Sequence, residues 1–144
     1  MDDLQQLGAA ALARPAAQPA VEFERQWITW GEMRRVAERL GASLDASGAG
    51  RGAKIAFIAR SRPSALAALL GMIARRCTVR MIYPFQSPDA IARDIDRIEP
   101  GAVVAAVEDY SEAFLAVLRA RGIAAIALQE MDAVSLPGLE RSAH

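Results

Sequence analysis

Residues 54–73 read KIAFIARSRPSALAALLGMI, and this succession of a short apolar run and a helix decides the fold. The run Ile55–Ala59 is too short for a helix with these flanks, which predicts a strand. Pro63 suits the first turn of the helix that follows. Because the strand is apolar throughout rather than alternating, it is typical of a parallel sheet covered on both faces. The helix is predicted to bury one stripe of large side chains: Leu66, Leu69, Leu70 and Ile73.

The same alternation continues to residue 128. Further strands are predicted over Thr78–Ile82, Ala102–Val107 and Ile123–Leu128. One intervening helix starts near Pro88, and the other ends at Gly122. The inner face of the first is predicted to contain Ile91, Ile95 and Ile98, and the second is marked by Phe114, Leu115, Val117 and Leu118.

The first part of the chain is predicted to be a helix followed by a hairpin. Residues 2–14 form the helix, with Leu4, Leu7, Ala11 and Leu12 on one side, and Pro15 and Pro19 end it. Two short strands then meet around residues 24–26, although the turn lacks the Asn-Gly or Asp-Gly signal.

Thr29 and Glu32 have the spacing of a capping box, in which each side chain binds the backbone N–H of the other residue. A functional site is the alternative, and the cap is the favoured interpretation. The helix behind it is marked by Met33, Val36, Ala37, Leu40 and Leu44. The glycine-rich residues 47–52 follow this helix and precede a strand. A phosphate-binding loop has the opposite context, so residues 47–52 are predicted to terminate the helix.

These patterns predict an α/β fold. Its core is a mostly parallel, doubly wound sheet with helices on both faces, preceded by a short β-hairpin and helix. Residues 1–18 are expected to form the N-terminal helix and a linker, residues 19–130 the α/β unit, and residues 131–144 an irregular tail.

Composition excludes several classes of protein. The 144 residues carry 17 basic and 17 acidic side chains, which disfavours a nucleic-acid partner. Cys77 is the single cysteine and His144 the single histidine, so neither a disulfide framework nor histidine general-base chemistry within the chain is expected. The longest apolar run, Ala65–Ala74, is about half the roughly 20 residues of a membrane span. A cytoplasmic protein is expected, and the excess of Arg over Lys hints at a GC-rich bacterial genome.

Ligands of doubly wound sheets bind at the carboxyl ends of the strands, where three loops carry candidate side chains. Arg60 and Arg62 either bind an anion or are solvated. Glu108 and Asp109 either hold a magnesium ion or lie at the surface. Tyr83 and Phe85 either line a hydrophobic pocket or cover the end of the sheet. A reactive thiol at Cys77, beside two arginines, is the alternative to a structural cysteine.

The order of these segments resembles the N-terminal portion of the adenylate-forming (AMP-binding) ligase superfamily, which includes acyl-CoA synthetases. The likeness lies in residues 19–33, with Trp27-Ile28-Thr29-Trp30-Gly31-Glu32-Met33; in the helix and glycine-bearing turn of residues 37–52; in residues 55–70; and in residues 78–88. It covers about residues 15–130. The resemblance implies ATP, magnesium and coenzyme A for a full-length parent.

Departures from the family pattern limit what the resemblance implies. Arg75-Arg76-Cys77 stands where the family commonly has small residues, and no Ser/Thr/Gly-rich loop ending in Pro-Lys-Gly occurs in the 144 residues. Lys54 does not match the family's catalytic lysine. No catalytic, cofactor-binding or metal-binding residue is therefore carried over, and Tyr83 and Phe85 remain candidates for substrate binding.

Three hypotheses follow. The first is an N-terminal fragment of an adenylate-forming acid ligase that is inactive by itself. Its partner would be the remainder of the ligase or another polypeptide, and an uncovered apolar face would favour self-association. The second is a stand-alone, non-catalytic α/β interaction module. The third is a small-molecule-binding, flavodoxin-like protein. The identity of the acid and of the acyl acceptor is not encoded in any motif of this chain.

Overall fold

The computed structural model describes residues 3–143. Residue 2, at the start of the predicted first helix, and His144 lie outside the described residues. The helices of this part of the chain are α1 Asp3–Leu12, α2 Trp30–Ser47, α3 Pro63–Ala74, α4 Pro88–Ile98 and α5 Glu112–Arg121. The strands are β1 Pro19–Phe23, β2 Gln26–Thr29, β3 Lys54–Phe57, β4 Thr78–Met81, β5 Ala102–Ala106, β6 Ala124–Gln129 and β7 Asp132–Ser135. A turn of 3-10 helix lies at Val107–Asp109, after β5.

The main sheet has five strands in the order β4-β3-β5-β6-β7. The pairings of β3 with β4, β3 with β5 and β5 with β6 are parallel, and that of β6 with β7 is antiparallel. Successive residues of each strand face opposite layers. Ile55 and Phe57 pack in a cluster with α2 and α3, whereas Ala56 packs in a second cluster with α4 and α5. The predicted doubly wound α/β fold is confirmed.

The predicted hairpin is present as the antiparallel pair β1–β2. Its two turn residues, Glu24 and Arg25, have φ of 50° and 67°. Two left-handed residues in succession match the twist of the flanking strands, as in a type I′ turn. The conformation is formed here without glycine or asparagine.

The predicted capping box and helix terminator are both confirmed. The Glu32 N–H donates to Thr29 Oγ1 over 3.2 Å, and the Thr29 N–H donates to Glu32 Oε2 over 2.9 Å. The helix ends at Gly48, whose φ of 89° is readily adopted by glycine. The glycine-rich stretch therefore serves the end of α2.

The predicted leucine stripe of α3 is only partly correct, because Leu69 and Leu70 pack against the core without being fully buried. Leu66 is 41% exposed and Leu69, Leu70 and Ile73 are only partly buried, whereas the core face contains Ala65, Ala67, Ala68, Gly71 and Met72. The reason is that α3 lies against both α1 and α2, and small side chains let helices approach closely. A Cβ atom added at Gly71 would lie 3.0 Å from the Cβ atom of Ala37 in α2.

The prediction of an irregular tail over residues 131–144 is also wrong, because β7 extends the sheet there. Gln129 pairs with Asp132 and Ile126 with Ser135 across a tight turn. Beyond the strand, the Ala125 N–H donates to the Leu139 carbonyl over 2.9 Å. No glycine marks the turn, where Glu130 has φ of 47°, so the usual hairpin signal is missing from the sequence. Across residues 3–143, the helices are too short or too polar to cross a membrane.

Candidate functional site

The loops that leave β3 and β5 meet at the carboxyl edge of the sheet through two ion pairs. Arg60 Nε lies 3.0 Å from Asp109 Oδ2, and a second bond joins the same two side chains. Arg62 Nη1 lies 2.9 Å from Glu108 Oε1, again with a second bond in parallel. Bidentate pairs of this kind are the strongest ion-pair geometry available to arginine. The sequence placed these residues at one edge of the sheet, but it did not reveal that they pair.

The charges at this edge are therefore engaged with one another. The hydrogen bond from Arg62 lowers the pKa of Glu108 to about 2, and the hydrogen bond to Asp109 raises the pKa of Arg60. Among residues 3–143, no group of three or more His, Cys, Asp or Glu side chains is placed to hold a metal ion. Glu108 and Asp109 thus face arginines rather than a third metal ligand.

Tyr83 and Phe85 form an exposed aromatic pair after β4. Their rings meet edge to face, 5.7 Å apart, and the side chains are 64% and 69% exposed. The guanidinium of Arg60 lies 5.1 Å from the centre of the Phe85 ring, which links the loop after β4 to the ion pairs. The role of the two aromatic side chains in substrate binding stays a prediction.

The surroundings of Cys77 and Lys54, two other side chains discussed from the sequence, indicate a structural role for each. Burial raises the pKa of the Cys77 thiol, and the opposing influence of Arg75 is smaller. A protonated, partly buried thiol is a poor nucleophile. Lys54 Nζ lies 3.0 Å from the Ile98 carbonyl at the end of α4, where the helix dipole stabilises a positive charge.

The sequence did not predict the cleft that lies between the β1–β2 turn, the start of α3 and the β6–β7 turn. We call it the Ser64 cleft. It has a volume of about 820 Å³, and Glu24, Arg35, Arg62, Ser64 and Glu130 are among the residues that line it. One wall belongs to the β6–β7 turn, so the cleft could not be found without predicting β7.

The sequence profile of the family described as AMP-binding enzyme matches residues 8–139. The chain belongs to the AMP-binding enzyme family. The resemblance of its segments to that family is confirmed. In a comparison with curated proteins, no sequence matched significantly.

Solved structures similar to this AMP-binding chain include a ligase and two further proteins. A benzoate CoA ligase from Burkholderia xenovorans LB400 has 16% identity and a TM-score of 0.73, with 91% of this chain and 27% of the ligase covered. Apo MatB from Rhodopseudomonas palustris has 19% identity and a TM-score of 0.72, with 86% and 25% covered. CmiS6 has 17% identity and a TM-score of 0.70, with 98% and 34% covered. At these identities the likeness shows the fold, and the AMP-binding chain spans about a quarter to a third of the length of these proteins.

Proposed function

We propose that this chain is the N-terminal part of an adenylate-forming carboxylic acid ligase. The whole enzyme would activate an acid with ATP and transfer the acyl group to a thiol such as coenzyme A. The observation that carries the proposal is the family match over residues 8–139. The likeness of the fold to parts of larger ligases supports it. The parent is proposed to act on fatty or aromatic acids in a bacterial cytoplasm.

The proposed role of the segment is to form part of the scaffold of the enzyme, without residues that perform its chemistry. Formation of an acyl-adenylate develops negative charge on phosphate oxygens, which calls for preorganised donors and a cation. In the given sequence, Lys54 is the one lysine and no Pro-Lys-Gly occurs. The arginines at the carboxyl edge are held by Asp109 and Glu108. ATP, magnesium and coenzyme A would therefore be bound mainly by the remainder of the ligase.

We further propose that the remainder of the ligase covers the apolar side chains at the β4 edge. Met81, Tyr83 and Phe85 are 58%, 64% and 69% exposed, and an exposed apolar patch of this kind marks an interaction surface. The isolated chain is expected to self-associate through this patch, as measured by sedimentation velocity. Replacing Met81 and Phe85 by Ser should return it to a monomer.

The genetic context tests the proposal directly. Sequencing beyond codon 144 is expected to show a Ser/Thr/Gly-rich segment ending in Pro-Lys-Gly, either in the same frame or in an adjacent gene. The absence of such a segment in both places would contradict the ligase proposal. A folded, monomeric chain with no such neighbour would instead support the small-molecule-binding, flavodoxin-like protein.

A further inference from the structure

The N-terminus of α3 lacks the side-chain cap that the neighbouring helices have. Thr29, Ser87 and Ser111 cap α2, α4 and α5, whereas Arg62 at the start of α3 makes no such bond. The first N–H groups of a helix have no acceptor within the helix itself. At α3 the backbone donors of Ser64 and Ala65 meet no acceptor among residues 3–143.

Ser64 adds a third free donor at the same place. The residue is only 6% exposed, yet its hydroxyl forms no hydrogen bond within the part of the chain that the structure describes. The other buried serine, Ser47, donates to the Leu44 carbonyl over 2.8 Å. The Ser64 hydroxyl oxygen retains some exposure to solvent, since it is not among the fully buried polar atoms that lack a partner, and Ser64 is among the residues that line the Ser64 cleft.

The three donors and the dipole of α3 converge on one end of the Ser64 cleft. A helix N-terminus with free N–H groups attracts negative charge. The cleft, at about 820 Å³, is within the size range of small-ligand sites. An oxyanion placed there would accept from donors that otherwise have no partner.

The charged side chains around the cleft decide which anion is suitable. Arg62 is neutralised by Glu108, and Arg35 donates one N–H to the Met131 carbonyl over 3.1 Å. Asp132 pairs with Arg39, and Glu32 serves the cap of α2. Glu24 and Glu130 remain as exposed carboxylates that line the same cleft. Arg35 keeps its positive charge, but together with Glu32 these carboxylates leave the cleft with an excess of negative charge, so a ligand with two negative charges is repelled more strongly than a ligand with one.

We infer that the Ser64 cleft binds a small carboxylate with a single negative charge. The carboxylate oxygens accept from the Ser64 hydroxyl and from the backbone N–H groups of Ser64 and Ala65. The inference stands independently of the proposed ligase function, because it rests on donors within this chain and is tested by binding alone.

Acetate and sulfate are suitable probes, titrated into the 144-residue chain while amide signals are followed by NMR. Acetate is expected to shift the Ser64 and Ala65 amides along a saturating curve, and sulfate is expected to bind more weakly. Ser64→Ala should weaken acetate binding about tenfold, since it removes one hydrogen bond to a charged group. Ser61→Ala, in the exposed preceding loop, should leave the affinity unchanged.

Ser64→Asp provides a second variant, which is tested by its Tm and not by the affinity for acetate. Acetate is expected to raise the Tm of the unaltered chain by binding to the folded state. In Ser64→Asp a carboxylate already lies in the first turn of α3, so the variant should have a higher Tm that acetate does not raise further. Non-saturating acetate shifts, equal affinity in Ser64→Ala, or sulfate binding as tight as acetate would each overturn the inference. So would an acetate-dependent rise in Tm that persists in Ser64→Asp.

Discussion

Tyr110 joins the neighbouring strands β5 and β6 of the sheet, and its hydroxyl offers a sharp test of the packing. The hydroxyl oxygen lies 2.7 Å from the Ile126 carbonyl oxygen and 3.1 Å from that of Val103. The ring stacks on Phe114, with centroids 5.5 Å apart. Burial raises the pKa of Tyr110, so the hydroxyl stays protonated and continues to donate at neutral and mildly alkaline pH.

Tyr110→Phe removes this donor and keeps the stacked ring. A neutral hydrogen bond contributes about 1 kcal/mol, and an acceptor left without its partner adds to the loss, so we expect a destabilisation of about 1–2 kcal/mol. For a domain of this size the corresponding fall in Tm is about 3–8 °C. Urea unfolding followed by circular dichroism gives the free energy of unfolding, with an unchanged m-value showing that the native fold is kept.

Tyr83→Phe is the matched control, because the same atom is removed from a side chain that is 64% exposed. Its free energy of unfolding should change by less than about 0.5 kcal/mol. Equal stability of Tyr110→Phe and Tyr83→Phe would refute the role assigned to the buried hydroxyl.

Three further predictions concern an ion pair, a helix contact and a cap. The pKa of Glu108, about 2 in the folded protein, lies below the unfolded value of about 4.3, so the pair with Arg62 stabilises above that pH and is lost towards pH 2. Glu108→Gln should destabilise by less than about 1 kcal/mol at pH 7, because solvent screens the pair, and by less still at pH 3. Gly71→Ala should destabilise by about 1 kcal/mol, since the new methyl group crowds Ala37. Thr29→Ala should cost about 1 kcal/mol through loss of the cap. Urea unfolding measures all three.

Each of these variants has a result that would contradict its reasoning. A stability difference for Glu108→Gln that grows on acidification would rule out the lowered pKa. Gly41→Ala is the control for the helix contact, because its new methyl group meets only the end of the Arg75 side chain, at 3.1 Å. Both substitutions replace glycine by alanine within a helix, so both gain the same helix propensity. Gly71→Ala as stable as Gly41→Ala would show that the two helices are not closely packed. For Thr29→Ala, unchanged stability would contradict the capping box.

Local patterns were sufficient for much of the fold. The capping box of Thr29 and Glu32, the stop at Gly48 and the isoleucine face of α4 depend on neighbours within a few residues, so the sequence predicted them correctly. The continuous apolar strand Ala102–Ala106 indicated a sheet covered on both sides, as the structure confirms.

The features that the sequence did not reveal depend on distant parts of the chain. Burial of small rather than large side chains on α3 follows from its position against α1 and α2, which helical periodicity does not encode. Strand β7 is four residues long and pairs through a turn without glycine.

The candidate site was predictable only in outline. The rule that parallel strands end at one edge brought Arg60 and Asp109 together, 49 residues apart in the chain. It could not predict that they neutralise each other. The Ser64 cleft was missed because Ser64 is an ordinary first-turn serine in the sequence, and only the structure shows that its hydroxyl lacks a partner.

Exchange of pyrophosphate into ATP that depends on an added carboxylic acid is the measurement that bears most directly on the proposed function. We expect no exchange above background for the purified 144-residue chain with benzoate or fatty acids. We expect exchange with one such acid once the chain is joined to the polypeptide encoded beyond it. Acid-dependent exchange by the 144-residue chain alone, or none by the joined protein with any acid, would contradict the account.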